Sequence, residues 1–317
     1  MLRDKDMETG RPDFFLIGAP KCGTSALASY LSEHPSIFFS IPKEPAYWCS
    51  DYPEHGREMG MRSLDDYLEL FRGVKPHHLA AGEGSTRYLC SEVAVPRILE
   101  FAPDGRFIVM LRNPVDAAQS IHAELLFRFE EDVADFESAW HLQSERKAGG
   151  KIPRNCQYPE FLQYGRMSSY SWQVERLLSR VRRHKVCFVL FDDFASDPRT
   201  AYQQVLGFLG VPDDNRTDFP KVRGLQSHRF PRLSRWLMSP PPPFRSTITW
   251  LKNRVRRSSW GVQQFGSALK VKQPKAELRP EFANELRDYF RADVVRLSEL
   301  LNRDLTHWTH QQAKSSV

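Results

Sequence analysis

The chain has 317 residues, of which 41% are hydrophobic and 26% are charged, and its 45 basic and 39 acidic side chains give a formal net charge of +6. This composition is that of an average globular protein, so it excludes a fibrous repeat and a wholly disordered chain. The modest positive charge suits an anionic ligand, and we expect no nucleic-acid partner. No stretch approaches the ~18 consecutive apolar residues of a membrane-spanning helix, and residues 1–13 lack the apolar core of a signal peptide. The sequence therefore predicts a soluble, cytoplasmic protein.

The first predicted elements form a strand, a glycine-containing loop and a helix. Phe14–Ile17 is an uninterrupted apolar run typical of a strand buried on both faces, and residues 25–31 have helical spacing. Two further buried strands are predicted at 106–111 and 186–190, the second followed by a helix at 198–209. Alternating strands and helices predict an α/β fold with a P-loop-like, mainly parallel sheet and helices on both of its faces.

The remaining pattern predicts one domain with an irregular insertion. We expect a flexible tail at 1–12, a domain at 13–308 with a cap or insertion at 221–275, and a C-terminal tail at 309–317. The proline run at 239–243 marks an extended break, and a long periodic helix closes the domain. Further helices are predicted at 63–71, 93–101, 136–148, 168–182 and 280–305.

Five cysteines are scattered along the chain without a Cys-x-x-Cys pair. Their odd number and wide spacing argue against a disulfide framework and a zinc site, and they fit a reducing compartment. We therefore expect no structural or catalytic metal. The cysteines are Cys22, Cys49, Cys90, Cys156 and Cys187.

The loop Gly18–Ser25 has the glycine spacing of a nucleotide-binding P-loop but lacks its defining lysine. Thr24 stands directly after the second glycine, where a nucleoside-triphosphate site needs Lys, and Lys21 lies inside the loop instead. Backbone amides at the start of the following helix still attract an anion, and hydroxyl groups add donors. The loop predicts a site for one phosphate whose outer group is transferred.

A second anion site is predicted at the end of the strand 106–111. Arg112 ends this strand, Asn113 and Pro114 suit the start of a helix, and Ser120 follows two turns later. Ligands of open α/β sheets bind at the carboxyl ends of the strands, so Arg112 and Lys21 are expected to face one crevice. Because guanidinium groups bind phosphate with two hydrogen bonds, this pair fits a nucleotide with phosphates at its 5′ and 3′ positions.

These motifs resemble the sulfotransferase family that uses 3′-phosphoadenosine 5′-phosphosulfate (PAPS), in particular its bacterial and heparan-sulfate-type branch. The resemblance extends over roughly residues 14–212 and is weaker at 279–308. The matching segments are residues 21–27, Arg112 with Ser120, His34-Pro35, residues 43–48, residues 82–89, and residues 191–194 with Asp197-Pro198.

The resemblance implies a PAPS-dependent sulfotransferase that releases 3′,5′-adenosine bisphosphate (PAP). It assigns the role of general base to Glu44. It assigns stabilisation of the charge on the leaving phosphate to Lys21 and, less strongly, to Lys43. Adjacent side chains of an extended strand point to opposite faces, so Lys43 and Glu44 are not expected to face the same site, which disfavours Lys43 for this role. Glu83 is the second candidate for the base. The implied donor-binding residues are Lys21, Cys22, Gly23, Thr24, Ser25, Ala26, Arg112, Ser120 and Arg229.

Other polar residues near these motifs have alternative roles. His34 is expected to pack at a helix end, His122 either faces the acceptor or is structural, and Cys22 is expected to be inert although a helix N-terminus favours its thiolate. Gly84 stands where some heparan-type relatives carry a lysine, which argues against a heparan-like anionic acceptor. The C-terminal segment that closes over the nucleotide has five candidates: Lys221, Arg223, Ser227, His228 and Arg229.

The predicted reaction is sulfuryl transfer from PAPS to a hydroxyl, less often an amine, of a small molecule, glycolipid or carbohydrate. The basic segment 245–257 either contacts a membrane surface or an anionic acceptor, or is solvated. Two alternatives stay open: a P-loop kinase-like phosphotransferase, and a catalytically inactive member that binds an anionic glycan or a membrane.

Overall fold

A computed structural model describes residues 10–220, 226–228, 270–272 and 276–310. Five parallel strands form one sheet in the order β2-β3-β1-β4-β5. Two short antiparallel strands, β6 and β7, form a separate sheet. The strands are β1 Phe14–Gly18, β2 Ile37–Phe39, β3 Ala80–Gly84, β4 Arg106–Leu111, β5 Val186–Leu190, β6 Gln226–His228 and β7 Lys270–Lys272.

Helices flank the five-stranded sheet, which confirms the predicted α/β class. The central strands β1 and β4 are almost entirely buried because both of their faces are covered, and this explains their continuous apolar sequences. The helices are α1 Thr24–Ser32, α2 Pro53–Glu58, α3 Leu64–Glu69, α4 Ala94–Phe101, α5 Pro114–Phe127, α6 Phe136–His141, α7 Gln143–Lys147, α8 Tyr164–Ser168, α9 Ser171–Leu178, α10 Phe191–Ser196, α11 Pro198–Leu209 and α12 Pro280–Leu301.

Two predicted helices are wrong as continuous segments. The predicted helix 136–148 divides into α6 and α7 at Leu142, where the Gln143 side chain donates to the Trp140 carbonyl. The predicted helix 168–182 starts only at Ser171, because the Asp293 carboxylate of α12 accepts hydrogen bonds from the amides of Tyr170 and Ser171. A distant residue therefore caps α9, and local periodicity carries no sign of it.

The closing helix is shorter than predicted. It ends at Leu301 and not at residue 305, since Asn302 adopts a left-handed backbone with φ 52°. The Ser298 hydroxyl then accepts the Leu305 amide at 3.1 Å and fixes the turn. No helix of the described residues is both long and apolar enough to cross a membrane.

The chain divides into two compact units. The first comprises residues 1–117, 165–222 and 283–317 as far as they are described, and it contains the five-stranded sheet. The second comprises residues 118–164 and 223–282, with the β6–β7 pair and a fully buried ion pair between Glu131 and Arg146 at 2.6 Å. The predicted domain boundaries at residues 12 and 308 stay predictions.

Candidate functional site

The loop between β1 and α1 is built around two glycines. A Cβ atom on Gly18 would lie 2.7 Å from the Leu89 Cβ, and one on Gly23 would lie 2.8 Å from the Phe191 ring. Gly23 also has φ 90°, a conformation that side-chain-bearing residues rarely adopt. The Ala19 amide donates to the Met110 carbonyl at 2.7 Å, which holds the start of the loop against β4. The spacing of Gly18 and Gly23 in the sequence therefore reflects two positions at which a side chain would clash.

The helix α1 presents its first turn at the end of this loop. The Ala26 and Leu27 amides donate to the Gly23 carbonyl at 3.0 and 3.3 Å, and the Thr24 and Ser25 amides precede these first bonds of the helix. No acidic residue lies in its first turn. The positive end of the helix dipole favours an anion here. Lys21 precedes it with φ 63°, a left-handed backbone that costs about 1 kcal/mol for a residue other than glycine. Such strain is often found at binding sites, and in this loop it occurs at the one lysine.

The Cys22 thiol lies behind the loop and not at its open side. It is fully buried, its sulfur donates to the Pro20 carbonyl at 3.4 Å, and it lies 3.5 Å from the Tyr170 hydroxyl. Burial raises the pKa of Cys22 to about 11, although the nearby Arg112 charge opposes this shift. The thiol is therefore protonated at neutral pH, as expected for an inert residue. The contact with Tyr170 was not predictable from the loop sequence.

Arg112 lies against the same loop. One guanidinium nitrogen contacts the Lys21 carbonyl oxygen at 3.4 Å, and the guanidinium carbon is 4.6 Å from the centre of the Phe191 ring. A second nitrogen lies 3.4 Å from the Asp116 carboxylate, a long distance for an ion pair. Within the described part of the chain, the buried Nε of Arg112 has no hydrogen-bond partner. The guanidinium is thus held in place by stacking while part of its donor capacity is unused.

Asn113 starts α5 as the sequence predicts. Its Oδ1 accepts the Val115 amide at 3.0 Å, while its Nδ2 donates to the Trp308 carbonyl at 3.2 Å. Ser120 lies further along α5, is buried, and belongs to the second unit. The pairing of Ser120 with Arg112 stays a prediction. Ser227 and His228 lie in β6. The other residues proposed to close over the nucleotide (Lys221, Arg223 and Arg229) and the segment 245–257 lie outside the described residues.

Glu44 and Lys43 form an ion pair, so the prediction that their side chains diverge is wrong. The Lys43 Nζ donates to Glu44 Oε1 at 2.8 Å. The reason is that Glu44 has φ 65°, a left-handed and not an extended conformation. The Glu44 amide donates to the Gly84 carbonyl at 2.8 Å, and the Thr86 hydroxyl donates to Glu44 Oε2 at 3.3 Å. With 32% of its side chain exposed, Glu44 is accessible to a substrate.

Glu83 is close to Glu44 but is fully buried. Its carboxylate accepts hydrogen bonds from three hydroxyl groups: Tyr88 at 2.7 Å, Ser85 at 2.7 Å and Tyr67 at 3.2 Å. Burial raises the pKa of Glu83 to about 7, against the opposite effect of these three donors. The enclosed carboxylate is poorly placed to meet an acceptor hydroxyl. The hydrogen bonds of the Ser85 and Thr86 hydroxyls to the two glutamates were not predictable from the spacing of the sequence motif.

Position 84 is tightly packed between β2 and β1. A Cβ atom on Gly84 would lie 3.0 Å from Cζ of Phe39 and 3.5 Å from the Leu16 side chain. A side chain at this position would therefore require the Phe39 ring to shift by a few tenths of an ångström. The expectation that a cationic contact to the acceptor is lost here stays a prediction.

The two histidines considered in the sequence are buried and lie in hydrogen-bonding contact with the backbone. His34 is buried after α1, where its Nδ1 accepts the Ser36 amide at 3.0 Å and its Nε2 lies 3.0 Å from the Pro212 carbonyl. His122 is buried in the second unit, 2.9 Å from the Val133 carbonyl, and its ring packs against the Phe136 ring. Burial lowers the pKa of His122, so this ring is neutral at physiological pH.

The chain belongs to the sulfotransferase domain family, whose family model matches residues 11–235. This match confirms the family expected from the motifs. The human bifunctional heparan sulfate N-deacetylase/N-sulfotransferase 3 is 27% identical over 212 residues, covering 63% of this chain and 22% of the relative. The human heparan sulfate glucosamine 3-O-sulfotransferase 3B1 is 27% identical over 219 residues, covering 67% of this chain and 50% of the relative. The chain thus spans about a fifth to a half of the length of these relatives.

A solved structure has the same overall fold. The crystal structure of a sulfotransferase from Alicyclobacillus acidocaldarius superposes with a TM-score of 0.69 at 29% sequence identity. The alignment covers 95% of this chain and 100% of that one. The α/β architecture of the described residues is therefore that of a sulfotransferase.

Proposed function

We propose that this protein is a PAPS-dependent sulfotransferase that forms a sulfate ester on a hydroxyl-bearing small molecule, glycolipid or carbohydrate. The observation that carries the proposal is the order of three neighbouring strands, β3, β1 and β4. Their carboxyl ends lead to the Glu44 contact at Gly84, to the loop with Lys21, and to Arg112. The proposed base, phosphate loop and second cation therefore follow three adjacent strands at the carboxyl end of the sheet.

The residues present fit a nucleotide with phosphates at both ends of its ribose. The first amides of α1 and the Thr24 and Ser25 hydroxyls are suited to the 5′-phosphosulfate, as are the backbone and the charge of Lys21. The Arg112 guanidinium, whose side chain is 20% exposed, is suited to the 3′-phosphate, because guanidinium binds phosphate through adjacent donors. Ser120 and Arg229 are further proposed contacts, as is the loop backbone at Cys22, Gly23 and Ala26.

The proposed transfer is an in-line displacement at sulfur. The acceptor oxygen forms a bond to sulfur while the bond from sulfur to the bridging phosphate oxygen breaks. Glu44 removes the acceptor proton as attack proceeds, and Lys21 stabilises the charge that develops on the departing phosphate of PAP. Lys43, through its ion pair with Glu44, is suited to holding that carboxylate and supplies a second positive charge.

The acceptor is proposed on the chemistry of the site and on the relatives. The relatives named above act, by their names, on heparan sulfate at nitrogen or at a glucosamine hydroxyl. We propose a hydroxyl acceptor, with an amine as the less favoured alternative. Position 84 is a glycine and supplies no cationic contact, which favours an acceptor with less negative charge than heparan sulfate. A cytoplasmic location and a surface contact through 245–257 stay predictions.

The first prediction concerns Glu44 and the choice of nucleotide. Calorimetric titration is expected to give PAP at least about 100-fold higher affinity than ATP, since PAP alone fills both anion sites. Glu44→Gln is expected to keep PAP affinity and to reduce sulfuryl transfer from PAPS by about 100-fold or more. The matched variant Glu33→Gln, on the exposed end of α1, is expected to change neither. Equal affinity for ATP with magnesium-dependent ATP turnover would instead support the phosphotransferase alternative.

A further inference from the structure

Glu83 is the centre of a buried hydrogen-bond network that the transfer reaction itself does not use. Its Oε1 accepts hydrogen bonds from the hydroxyls of Tyr67 and Tyr88, and its Oε2 accepts one from Ser85. A fully buried carboxylate is costly, and burial raises its pKa to about 7. Glu83 lies in β3, directly before Gly84, the last strand residue, whose carbonyl accepts the Glu44 amide.

Two of these hydroxyls also hold the backbone that follows Glu44. The Ala46 amide donates to the Ser85 hydroxyl at 3.0 Å, and the Trp48 amide donates to the Tyr88 hydroxyl at 3.4 Å. Each hydroxyl oxygen thus accepts from an amide and uses its one proton to donate to Glu83. The result is two parallel chains of hydrogen bonds that end on the two oxygens of one carboxylate.

The third hydroxyl and the strand end complete the support of this segment. The ring of Tyr67 stacks on that of Tyr47 at 5.0 Å, so the Glu83 partner also touches the segment through its ring. The Glu44 amide is held by the Gly84 carbonyl, and the Thr86 hydroxyl donates to the Glu44 carboxylate at 3.3 Å. The left-handed backbones of Glu44 (φ 65°) and Ala46 (φ 54°) need such support, because each is strained.

We propose that Glu83 is a positioning residue that fixes the Glu44 segment through Ser85 and Tyr88, and that Thr86 orients the Glu44 carboxylate. The proposal rests on the proposed function, in which Glu44 is the base. The network requires a group that accepts on both oxygens, and only the ionised carboxylate, the form favoured above pH 7, does so. A glutamine at position 83 has the same shape but presents its NH₂ group to one set of hydroxyl donors, so one of the two chains must break.

The backbone part of the proposal is tested by hydrogen–deuterium exchange resolved to single amides. Glu83→Gln is expected to accelerate exchange of the Ala46 or the Trp48 amide, or both, by about tenfold or more. Ser85→Ala is expected to accelerate Ala46 selectively, and Tyr88→Phe to accelerate Trp48 selectively. If Glu83→Gln does not fold, Ser85→Ala and Tyr88→Phe still test whether the two hydroxyls hold the Ala46 and Trp48 amides. Unchanged exchange of both amides in Ser85→Ala and Tyr88→Phe would overturn the proposal.

Steady-state kinetics test the consequence for turnover. Glu83→Gln and Thr86→Val are expected to lower kcat about 10- to 100-fold with PAP affinity unchanged, because the base is misplaced while the donor site is intact. Thr86→Ser keeps the hydroxyl and is expected to restore most of kcat. The control Tyr202→Phe removes a comparable buried hydroxyl that contacts Asp214 at 3.3 Å, and it is expected to leave kcat unchanged. Equal losses of kcat and PAP affinity, or no rescue by Thr86→Ser, would contradict positioning.

The two readouts separate this inference from the proposed function. Amide exchange needs no turnover, so a wild-type protein without sulfuryl transfer would contradict the proposed function while the exchange data still report on the network. Selective exchange changes together with an unchanged kcat would leave the sulfotransferase proposal intact and would overturn the positioning role.

Discussion

Gly23 is required at its position for two independent reasons, its left-handed backbone and its approach to Phe191. With φ 90° and only 2.8 Å to the ring, a methyl group meets both backbone strain and a clash. Gly23→Ala is therefore expected to lower the free energy of unfolding by about 1–3 kcal/mol and to weaken PAP binding about tenfold or more. Urea unfolding and calorimetric titration measure the two effects.

A matched glycine serves as the control for this prediction. Gly207 lies within the helix α11, where an added methyl group would meet no side chain or neighbouring segment of the described residues within 4 Å. Gly207→Ala is expected to raise the free energy of unfolding by up to about 1 kcal/mol and to leave PAP affinity unchanged. If the two variants behave alike, the loop geometry described here is contradicted.

The raised pKa of Glu83 makes a signed prediction about stability. A carboxyl group with a folded-state pKa of about 7, above its ordinary value of 4.5, holds its proton more tightly in the folded protein. Its contribution to stability is therefore present below pH 4.5 and is lost as the pH rises through 7. The groups facing it are Tyr67, Ser85 and Tyr88, with Glu44 and Cys49 close enough to interact electrostatically.

The comparison of wild type with Glu83→Gln isolates this effect from the other carboxylates. The free energy of unfolding of the wild type, minus that of the variant, is expected to fall by about 2 kcal/mol between pH 5 and pH 8. Urea unfolding at both pH values gives the difference directly. A difference that stays constant with pH, or that grows toward pH 8, would contradict the burial of an ionisable group at this position.

At the scale of single elements, Asn113 joins the start of α5 to the C-terminal 3₁₀ turn at Thr306–Trp308. Its side chain both caps the helix and donates to the Trp308 carbonyl. Asn113→Ala removes both bonds and is expected to lower the free energy of unfolding by about 2 kcal/mol. Asn113→Ser keeps a capping oxygen, so a loss of about 1 kcal/mol is expected in urea unfolding. Equal losses in the two variants would show that the cap contributes nothing.

Elements whose signals are local were predictable from the sequence. The strands β4 and β5 and the helix α11 begin and end where predicted, because apolar runs, the Asp197 cap and the Gly210 ending are all local. The break before α9 was not predictable, since it depends on Asp293 from another part of the chain. The short strand β2 has only three residues and gives no clear periodicity.

The candidate site also combines features that were predictable from local sequence with features that were not. The glycines and Lys21 were predictable because steric limits and charge are properties of a short motif. The ion pair of Lys43 with Glu44 was not predictable, because it depends on a left-handed φ at Glu44 that a glutamate in the sequence does not indicate. The enclosure of Glu83 required Tyr67, a helix residue sixteen positions earlier, to be placed beside it.

At the scale of the whole molecule, the strand order brings together segments that are far apart in sequence. The parallel neighbours β3, β1 and β4 place the Glu44 segment, the Lys21 loop and Arg112 at one edge, and the contact between Arg112 and the Lys21 carbonyl links two of them directly. The central claim is that Arg112 recognises a 3′-phosphate on a nucleotide whose 5′-phosphate lies in the loop.

The most direct test compares PAP with adenosine 5′-monophosphate, which lacks only the 3′-phosphate, on the wild type and on Arg112→Ala. Wild type is expected to bind PAP about 100-fold more tightly, and Arg112→Ala is expected to reduce PAP affinity to nearly that of the monophosphate while leaving monophosphate affinity unchanged. Calorimetric titration of both nucleotides on both proteins gives the coupling free energy between Arg112 and the 3′-phosphate. Equal affinity of the wild type for the two nucleotides, or an equal loss for both in Arg112→Ala, would contradict the account.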